Sequence, residues 1–140
     1  MKSDCVVRVV VFGMWVGLAG CTNVAGDHAR VITTEETLEA PELLQMATEY
    51  FSGAGYDCGE DSRSELRCRK DLRDLYIHQT HAVVEIFEDK EAGHHLLMTT
   101  RWDEGLIPGE LISSEFENPD VAGFCTSLDA SGQGVCQIAE

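Results

Sequence analysis

The run LYIHQTHAVVEIFEDKEAGHHLLMTTRW, residues 75–102, predicts a β-hairpin at the centre of the fold. Residues 75–88 and 95–102 are rich in β-branched and aromatic types and alternate apolar with polar side chains, which is typical of half-buried strands. The polar segment 89–93 between them ends in Gly93, which suits the positive φ of a hairpin loop. We expect two antiparallel strands with one face against a helix and the other exposed to water.

The register of this hairpin is predicted from where its apolar side chains gather. Pairing Val84 with Met98 puts Ile86 opposite Leu96 and collects the apolar residues on one face. A slip of one residue turns every side chain to the opposite face and mixes charged side chains into both faces. The Val84–Met98 register is therefore the expected one.

An amphipathic helix precedes the hairpin. It is predicted to begin near residue 36 or 41 and to end at 52, because Pro41 suits a first helical turn and Gly53 follows the last apolar residue. The apolar stripe at helical spacing, which we interpret as core, consists of Leu43, Leu44, Ala47, Tyr50 and Phe51.

Shorter elements complete the predicted fold. Residues 56–58, 64–70 and 135–138 have the composition of strands, and residues 118–124 begin with turn-forming types and predict a helical turn. The fold class is therefore α+β, with one amphipathic helix packed on a small antiparallel sheet of three to five strands.

The N-terminus has the three parts of an export signal. A charged start is followed by an apolar run over residues 9–17 and then by small residues at 19 and 20. The run is about half as long as the roughly 18 apolar residues that a membrane-spanning helix needs. Residues 1–20 are therefore predicted to be a cleaved signal peptide.

The residues Leu18, Ala19, Gly20 and Cys21 resemble the lipobox of bacterial lipoproteins, a likeness confined to residues 1–21. The resemblance implies that diacylglycerol is attached to the Cys21 thiol, that the signal is cut before this cysteine, and that the new amino group is often acylated. Two or three acyl chains hold a protein firmly, because each buried methylene contributes about 0.8 kcal/mol. The alternative is an ordinary signal peptide that leaves Cys21 a plain thiol.

The residue after the cysteine bears on location. In lipoproteins of many Gram-negative bacteria an aspartate at this position retains the protein in the inner membrane, whereas this chain has Thr22. The resemblance therefore implies the outer membrane, with the protein facing the periplasm. Inner-membrane placement stays open, since the sorting rule varies among bacteria.

The mature chain is predicted to be one small acidic domain. Residues 21–34 show no sustained period and are interpreted as a lipidated N-terminus and flexible tether, and residues 35–140 as a single periplasmic domain. Removing residues 1–20 takes one of 25 acidic and two of 10 basic residues, which leaves 24 against 8 and a net charge of −16. This charge argues against nucleic acid as a partner and favours cationic partners. Anionic lipid would repel the domain, so the acyl chains and not electrostatic attraction would hold it at the membrane.

Four cysteines remain in the mature domain, namely Cys58, Cys68, Cys125 and Cys136. An oxidising periplasm makes two disulfides the expectation. Of three open pairings, Cys58 with Cys68 and Cys125 with Cys136 are favoured, because each closes a short loop with turn residues. Neither spacing matches a zinc ribbon and no Cys-x-x-Cys occurs, so zinc binding and thiol exchange are not expected.

The sequence offers no catalytic or cofactor site. His78 and His81 are an odd number of residues apart on a strand and point to opposite faces, and His94 and His95 lie near the loop, too far away to share a metal. No serine lies in a Gly-x-Ser-x-Gly frame, and paired carboxylates are expected by chance among so many acids. We predict that the protein is not an enzyme and has no metal or cofactor, and the sequence identifies no small-molecule substrate.

A basic strip interrupts the acidic chain, and it consists of Arg63, Arg67, Arg69, Lys70 and Arg73. Two interpretations are open. One is a solvated strand face that is neutralised by nearby carboxylates. The other is an anion-binding strip for a lipid headgroup, a lipopolysaccharide phosphate or an acidic partner.

Two functional hypotheses follow. The first is a non-catalytic, membrane-anchored lipoprotein of the bacterial envelope that binds another envelope protein through its helix or its exposed sheet face. The second is a periplasmic inhibitor of a cationic protein such as lysozyme. Lysozyme-inhibitor lipoproteins are similar in size and anchorage, and residues 52–56, SGAGY, resemble their Ser-Gly loop, although this chain lacks the many strands of their barrel.

Overall fold

The computed structural model describes residues 21–33, 38–75, 78–91, 93–106 and 116–138. The strands form one sheet in the order β2-β3-β4-β5-β1-β6, and every neighbouring pair is antiparallel. The predicted α+β class is confirmed, and the predicted signal peptide lies outside the described residues. The elements are β1 (Cys21–Thr33), α1 (Ala40–Gly53), β2 (Asp57–Gly59), β3 (Leu66–Leu75), β4 (His78–Asp89), β5 (His94–Leu106), α2 (Pro119–Ala130) and β6 (Val135–Ile138).

The largest difference from the sequence analysis is β1. The sequence predicts a flexible tether over residues 21–34, and this prediction is wrong, because residues 21–33 form a strand between β5 and β6. Ala25 and Ile32 are 1% and 0% exposed, so the strand is part of the folded body. With β1 included, the sheet has six strands.

Two irregularities in β1 explain why its sequence shows no strand pattern. Its pairing with β5 shifts between Cys21 and Asn23 and again between Ala25 and His28, so its apolar side chains do not recur with a constant period of two. Gly26 lies in the second shift with φ 93°. This backbone conformation favours glycine. From composition alone, a glycine in this segment is typical of a flexible tether.

The β4–β5 hairpin forms as expected, but its register differs from the prediction by one residue. Val84 pairs with Thr99 and not with Met98, and Ile86 pairs with Leu97. The face of β4 that carries Val84 and Ile86 packs against the helices, as the sequence predicts. It is therefore the β5 strand whose two faces are exchanged relative to the prediction.

Both the loop and a partly buried ion pair support the observed register. Asp89 pairs with His94 across a four-residue connection, and the Gly93 N–H donates to the Asp89 carbonyl oxygen at 3.0 Å with φ 70°. The slip places Arg101 and Asp103 on the helix side of β5, where Arg101 Nη2 lies 3.0 Å from Asp103 Oδ2. Because these charges pair with each other, they do not oppose the register.

Helix α1 occupies its predicted position. It runs over Ala40–Gly53 with Pro41 in its first turn. Leu43, Ala47 and Phe51 are buried against the sheet, and the other members of the predicted stripe pack at the border of the core. The interpretation of this stripe as core is confirmed.

A second helix, α2, packs on the same face of the sheet. Asn118 caps it by accepting a hydrogen bond from the Asp120 N–H at 3.0 Å, and Pro119 lies in the first turn. The sequence predicts a single helical turn here, and the helix extends to Ala130. Its buried residues, which join those of α1 and the sheet in one cluster, are Val121, Phe124, Cys125 and Leu128.

Both disulfides have the favoured pairing. Cys58 and Cys68 are register partners in β2 and β3, with Cα atoms 4.0 Å apart. Cys125 and Cys136 connect α2 to β6, with Cα atoms 5.5 Å apart. Each bond is expected to contribute about 2–4 kcal/mol by restricting the unfolded chain. The second one also holds the edge strand beside the helix.

Candidate functional site

A buried polar network joins the start of α2 to the sheet. The side-chain amide of Asn118 donates to the Tyr56 hydroxyl oxygen at 2.9 Å and to Thr99 Oγ1 at 3.1 Å. The Tyr56 hydroxyl donates to Asp120 Oδ2 at 3.1 Å, and Lys70 Nζ lies 3.1 Å from the same oxygen. Hydrogen bonds with Lys70 of β3 and Thr99 of β5 thus orient the N-terminus of α2.

The same network controls the ionisation of Tyr56. Burial raises the pKa of its phenol to about 12, the hydrogen bond from Asn118 opposes this rise, and the Asp120 carboxylate adds to it. Lys70 Nζ lies 5.2 Å from the centre of the Tyr56 ring, a cation–π distance. At neutral pH Tyr56 is a neutral hydrogen-bond donor that supports the fold.

A shallow cleft of about 390 Å³ lies between α2 and β6. The disulfide between Cys125 and Cys136 joins its two sides. Ile138 and Val135, on the β6 side, are 70% and 42% exposed. The lining residues from α2 include Ala122, Thr126 and Asp129. The cleft therefore exposes apolar side chains to water between two elements that a disulfide links.

The α2 side of this cleft carries one negative charge. Asp129 is the acidic residue among those that line the cleft. Asp129 lines the cleft near the C-terminus of α2, whose last turn contains no basic residue. The negative end of the helix dipole adds to this field. The complementary ligand is a segment that is both apolar and cationic.

The predicted basic strip is divided between the two faces of the sheet. Arg67 alternates with the buried Leu66 and Cys68 and so faces away from the helices, whereas Lys70 faces α2. The side chain of Arg73 lies outside the described part. Ion-pair distances of 3.1–3.9 Å link Arg63 and Arg67 to Asp61, Arg67 to Glu85, Arg69 to Asp71 and Lys70 to Asp120. This arrangement favours the interpretation of a neutralised face over a single anion-binding strip.

The histidines whose side chains the structure describes, His81, His94 and His95, do not converge on one point, and the side chain of His78 lies outside the described residues. His81 stacks on Trp102 with ring centres 6.2 Å apart, and its pKa is lowered by burial and by the nearby Arg69 guanidinium. His94 lies at the opposite end of the hairpin, where its Nε2 is 3.7 Å from Asp89 Oδ2. Among the described side chains, no group of three His, Cys, Asp or Glu is placed to hold a metal.

His95 belongs to a small buried cluster of unsatisfied polar atoms. Both of its ring nitrogens, the Ser64 hydroxyl and Glu65 Oε2 are buried without a hydrogen bond, and His95 Nε2 lies 3.6 Å from Glu65 Oε2. Ser64 and His95 therefore lack the nucleophile–base hydrogen bond on which a serine hydrolase depends.

The sheet face opposite the helices is partly apolar. The observed register places Leu96, Met98 and Trp102 of β5 on this face with Val83 and Phe87 of β4. Val83 is buried beneath its neighbours, and the other four are half-buried. Neither helix covers this face, and its side chains are less exposed to water than the sequence predicts.

Known proteins supply no assignment for this chain. Neither a scan against protein-family models nor searches of curated proteins and of solved structures return a match. In the part of the chain that the structure describes, no helix is long and apolar enough to cross a membrane. The α2–β6 cleft is consequently the candidate site, on geometry alone.

The residues of this cleft are not among the site residues that the sequence predicts. The sequence predicts a strand over residues 135–138 and favours the Cys125–Cys136 bond, but neither feature alone indicates a binding surface. A disulfide from a helix to a short edge strand brings the apolar Val135 and Ile138 beside that helix, where few neighbours remain to bury them. That combination was the available indication of an exposed binding surface.

Proposed function

We propose that the mature chain is a non-catalytic, membrane-anchored lipoprotein of the bacterial envelope, and that it binds another envelope protein in the cleft between α2 and β6. The anchor is inferred from the resemblance of residues 18–21 to a lipobox. The observation that carries the binding role is the exposure of Ile138, 70%, beside an acidic helix end. Exposed apolar groups rimmed by charge are typical of interaction sites.

The position of the cleft is compatible with this role. β6 pairs with Arg30 to Thr33 of β1, which are nine to twelve residues from Cys21. At the rise of an extended strand this is about 30–40 Å from the anchor point. A protein held by Cys21 therefore presents the cleft away from the lipid, where a periplasmic partner can reach it.

The chemistry of the cleft specifies the kind of partner. Its volume of about 390 Å³ accommodates a few side chains, and the exposed Ile138 and Val135 select apolar ones. Asp129 and the dipole of α2 select a basic residue next to them. The partner we propose is an envelope protein with an exposed apolar segment flanked by lysine or arginine.

Site-specific photo-crosslinking in cells tests this proposal. A crosslinking residue at position 138 is expected to yield a discrete adduct with one envelope protein, and the same residue at the exposed Ser52 of α1 is the matched control. Asp129→Lys should weaken the adduct at position 138, since it reverses the charge beside the cleft. Adducts of equal yield from both positions, or none from position 138, would contradict the binding role.

The anchor has its own test. Palmitate labelling is expected for the wild-type chain and not for Cys21→Ser, with export of both to the envelope. Labelling of both chains would exclude Cys21 as the acylated residue. Labelling of neither would favour the ordinary signal peptide.

The net charge of −16 supports a second candidate, an inhibitor of a cationic protein such as lysozyme. Inhibition is then expected to fall steeply with salt, because long-range attraction between exposed charges is screened. The lipid-free Cys21→Ser chain, which keeps β1, is the protein to assay. Absence of inhibition at micromolar concentration would remove this candidate.

A further inference from the structure

Because residues 21–33 form β1 and not a flexible tether, Cys21 is held close to the sheet. Cys21 is the first residue of β1 and pairs with Leu106 of β5. Val24 is the third residue after Cys21 in β1 and pairs with Trp102. Val24 and Trp102 therefore lie about 10–13 Å along their strands from the level of the lipidated residue. An acyl group on Cys21 brings this end of the sheet to the bilayer surface.

The side chains at this end suit a lipid interface. Val24 is 41% exposed, and Leu72, at the bulge of β3, is 46% exposed. Leu72 follows Asp71, which pairs with His81, and His81 in turn pairs with Trp102, so all lie at one level of the sheet. Tryptophan is enriched at membrane interfaces, where its ring contacts lipid and its N–H remains among polar groups. We call Val24, Trp102 and Leu72 the anchor rim.

The charges around the anchor rim are only partly compensated. Arg101 lies 3.0 Å from Asp103, and Arg69 lies 3.2 Å from Asp71. The acidic α2, by contrast, has no basic residue in its own sequence. Glu104 lies near His81 and adds negative charge at this end, so apolar contact and the acyl chain, and not charge attraction, would hold the rim at the membrane.

We propose that the anchor rim rests in the lipid headgroup layer, so that the domain sits directly on the membrane with the sheet rising away from it. This inference rests on the proposed lipidation of Cys21. The ligand is the bilayer surface, recognised by two exposed aliphatic side chains and one tryptophan next to a covalent anchor.

The mature chain contains a natural probe for this arrangement, because Trp102 is its single tryptophan once residues 1–20 are removed. The lipidated protein is reconstituted in phosphatidylcholine vesicles whose acyl chains carry bromine near the headgroup. Emission from Trp102 is expected to fall about twofold or more, as for a ring at the interface. In the matched control, Trp102→Phe/Phe87→Trp, the fluorophore lies level with Val31, about 33 Å from Cys21 along β1, and no quenching is expected.

A second pair of variants separates the rim from the distal end. Leu72→Asp is expected to lower the quenching of Trp102, whereas Ile138→Asp on β6 should leave it unchanged. Equal quenching at positions 102 and 87 would mean that the sheet lies flat on the bilayer and would overturn the proposal. Absence of Trp102 quenching in protein that floats with the vesicles would overturn the rim while leaving the anchor intact. Failure to float would overturn both.

Discussion

Replacing Gly26 with alanine distinguishes a folded β1 from a tether. Gly26 lies in the bulge of β1 with φ 93°, and an added Cβ would lie 3.1 Å from the Thr99 carbonyl oxygen and 3.2 Å from Phe116 Cβ. In a flexible tether neither feature exists, and alanine would leave the stability of the domain unchanged. In the sheet, alanine must adopt an unfavourable backbone conformation against close neighbours.

The expected loss follows from three contributions. A left-handed backbone conformation costs a residue with a Cβ about 1–2 kcal/mol. Displacing the neighbours by a few tenths of an ångström adds about 1 kcal/mol, at the lower end of overpacking penalties. Reduced freedom of the unfolded chain offsets about 0.4–1 kcal/mol. We therefore expect Gly26→Ala to lower the free energy of unfolding by about 2 kcal/mol.

Urea unfolding of the lipid-free Cys21→Ser protein, followed by Trp102 fluorescence, measures this difference. Gly53→Ala is the matched control, because its φ is not positive and its Cβ would meet nothing within 4 Å. The control should raise the free energy of unfolding by about 0.4–1 kcal/mol, because alanine there reduces only the freedom of the unfolded chain. Equal stability of Gly26→Ala and its parent would refute the argument. So would a cooperative transition at the parental urea concentration in a chain limited to residues 35–140.

Three further measurements address the polar network and the titrating groups. Asn118→Ala should lower the free energy of unfolding by about 2–3 kcal/mol, because it removes the helix cap and two buried hydrogen bonds. Asn118→Ser keeps the cap and should lose about 1 kcal/mol less. Equal losses in the two variants would show that the cap contributes nothing. Because the pKa of Tyr56 is raised from 10.0 to about 12 in the folded state, its neutral form is favoured there, and stability should fall by about 2 kcal/mol as the pH rises from 10 to 12. Alkaline urea titrations of Tyr56→Phe should lack this loss, and an unchanged slope would assign it to other groups. Because the pKa of His81 is lowered in the folded state, the unfolded chain takes up the proton first, so the stability contributed by neutral His81 is present above pH 6.5 and falls as the pH drops below it. His81→Gln should flatten the difference in unfolding free energy between pH 7.5 and pH 5, and an identical pH dependence in both proteins would contradict the assignment.

Elements with an uninterrupted local pattern were predictable. Leu43, Ala47 and Phe51 recur at helical spacing, and these three residues form the buried side of α1. The cysteine pairs were predictable because each closes a loop of ten or eleven residues. In both cases, the determining contacts lie within about a dozen residues, where the sequence displays them directly.

Long-range contacts determined the rest. The register of β5 depends on the pairing of Arg101 with Asp103 and on the loop closed at Gly93, neither of which hydrophobic alternation describes. β1 is a strand because it pairs with β5 over most of its length and with β6 at residues 30–33, and its pairing with β5 accommodates the bulge at Gly26. A strand inside a sheet satisfies its backbone hydrogen bonds with distant segments, so an irregular sequence is stable there although it would not be extended alone.

The candidate surfaces divide in the same way. Cys21 is identified by its neighbours in sequence, Leu18 to Gly20, and needs no fold. The α2–β6 cleft and the anchor rim arise only when a disulfide and strand register bring together residues from separate parts of the chain. The residue type determines the chemical properties of a side chain, whereas the tertiary structure determines its exposure and its neighbours.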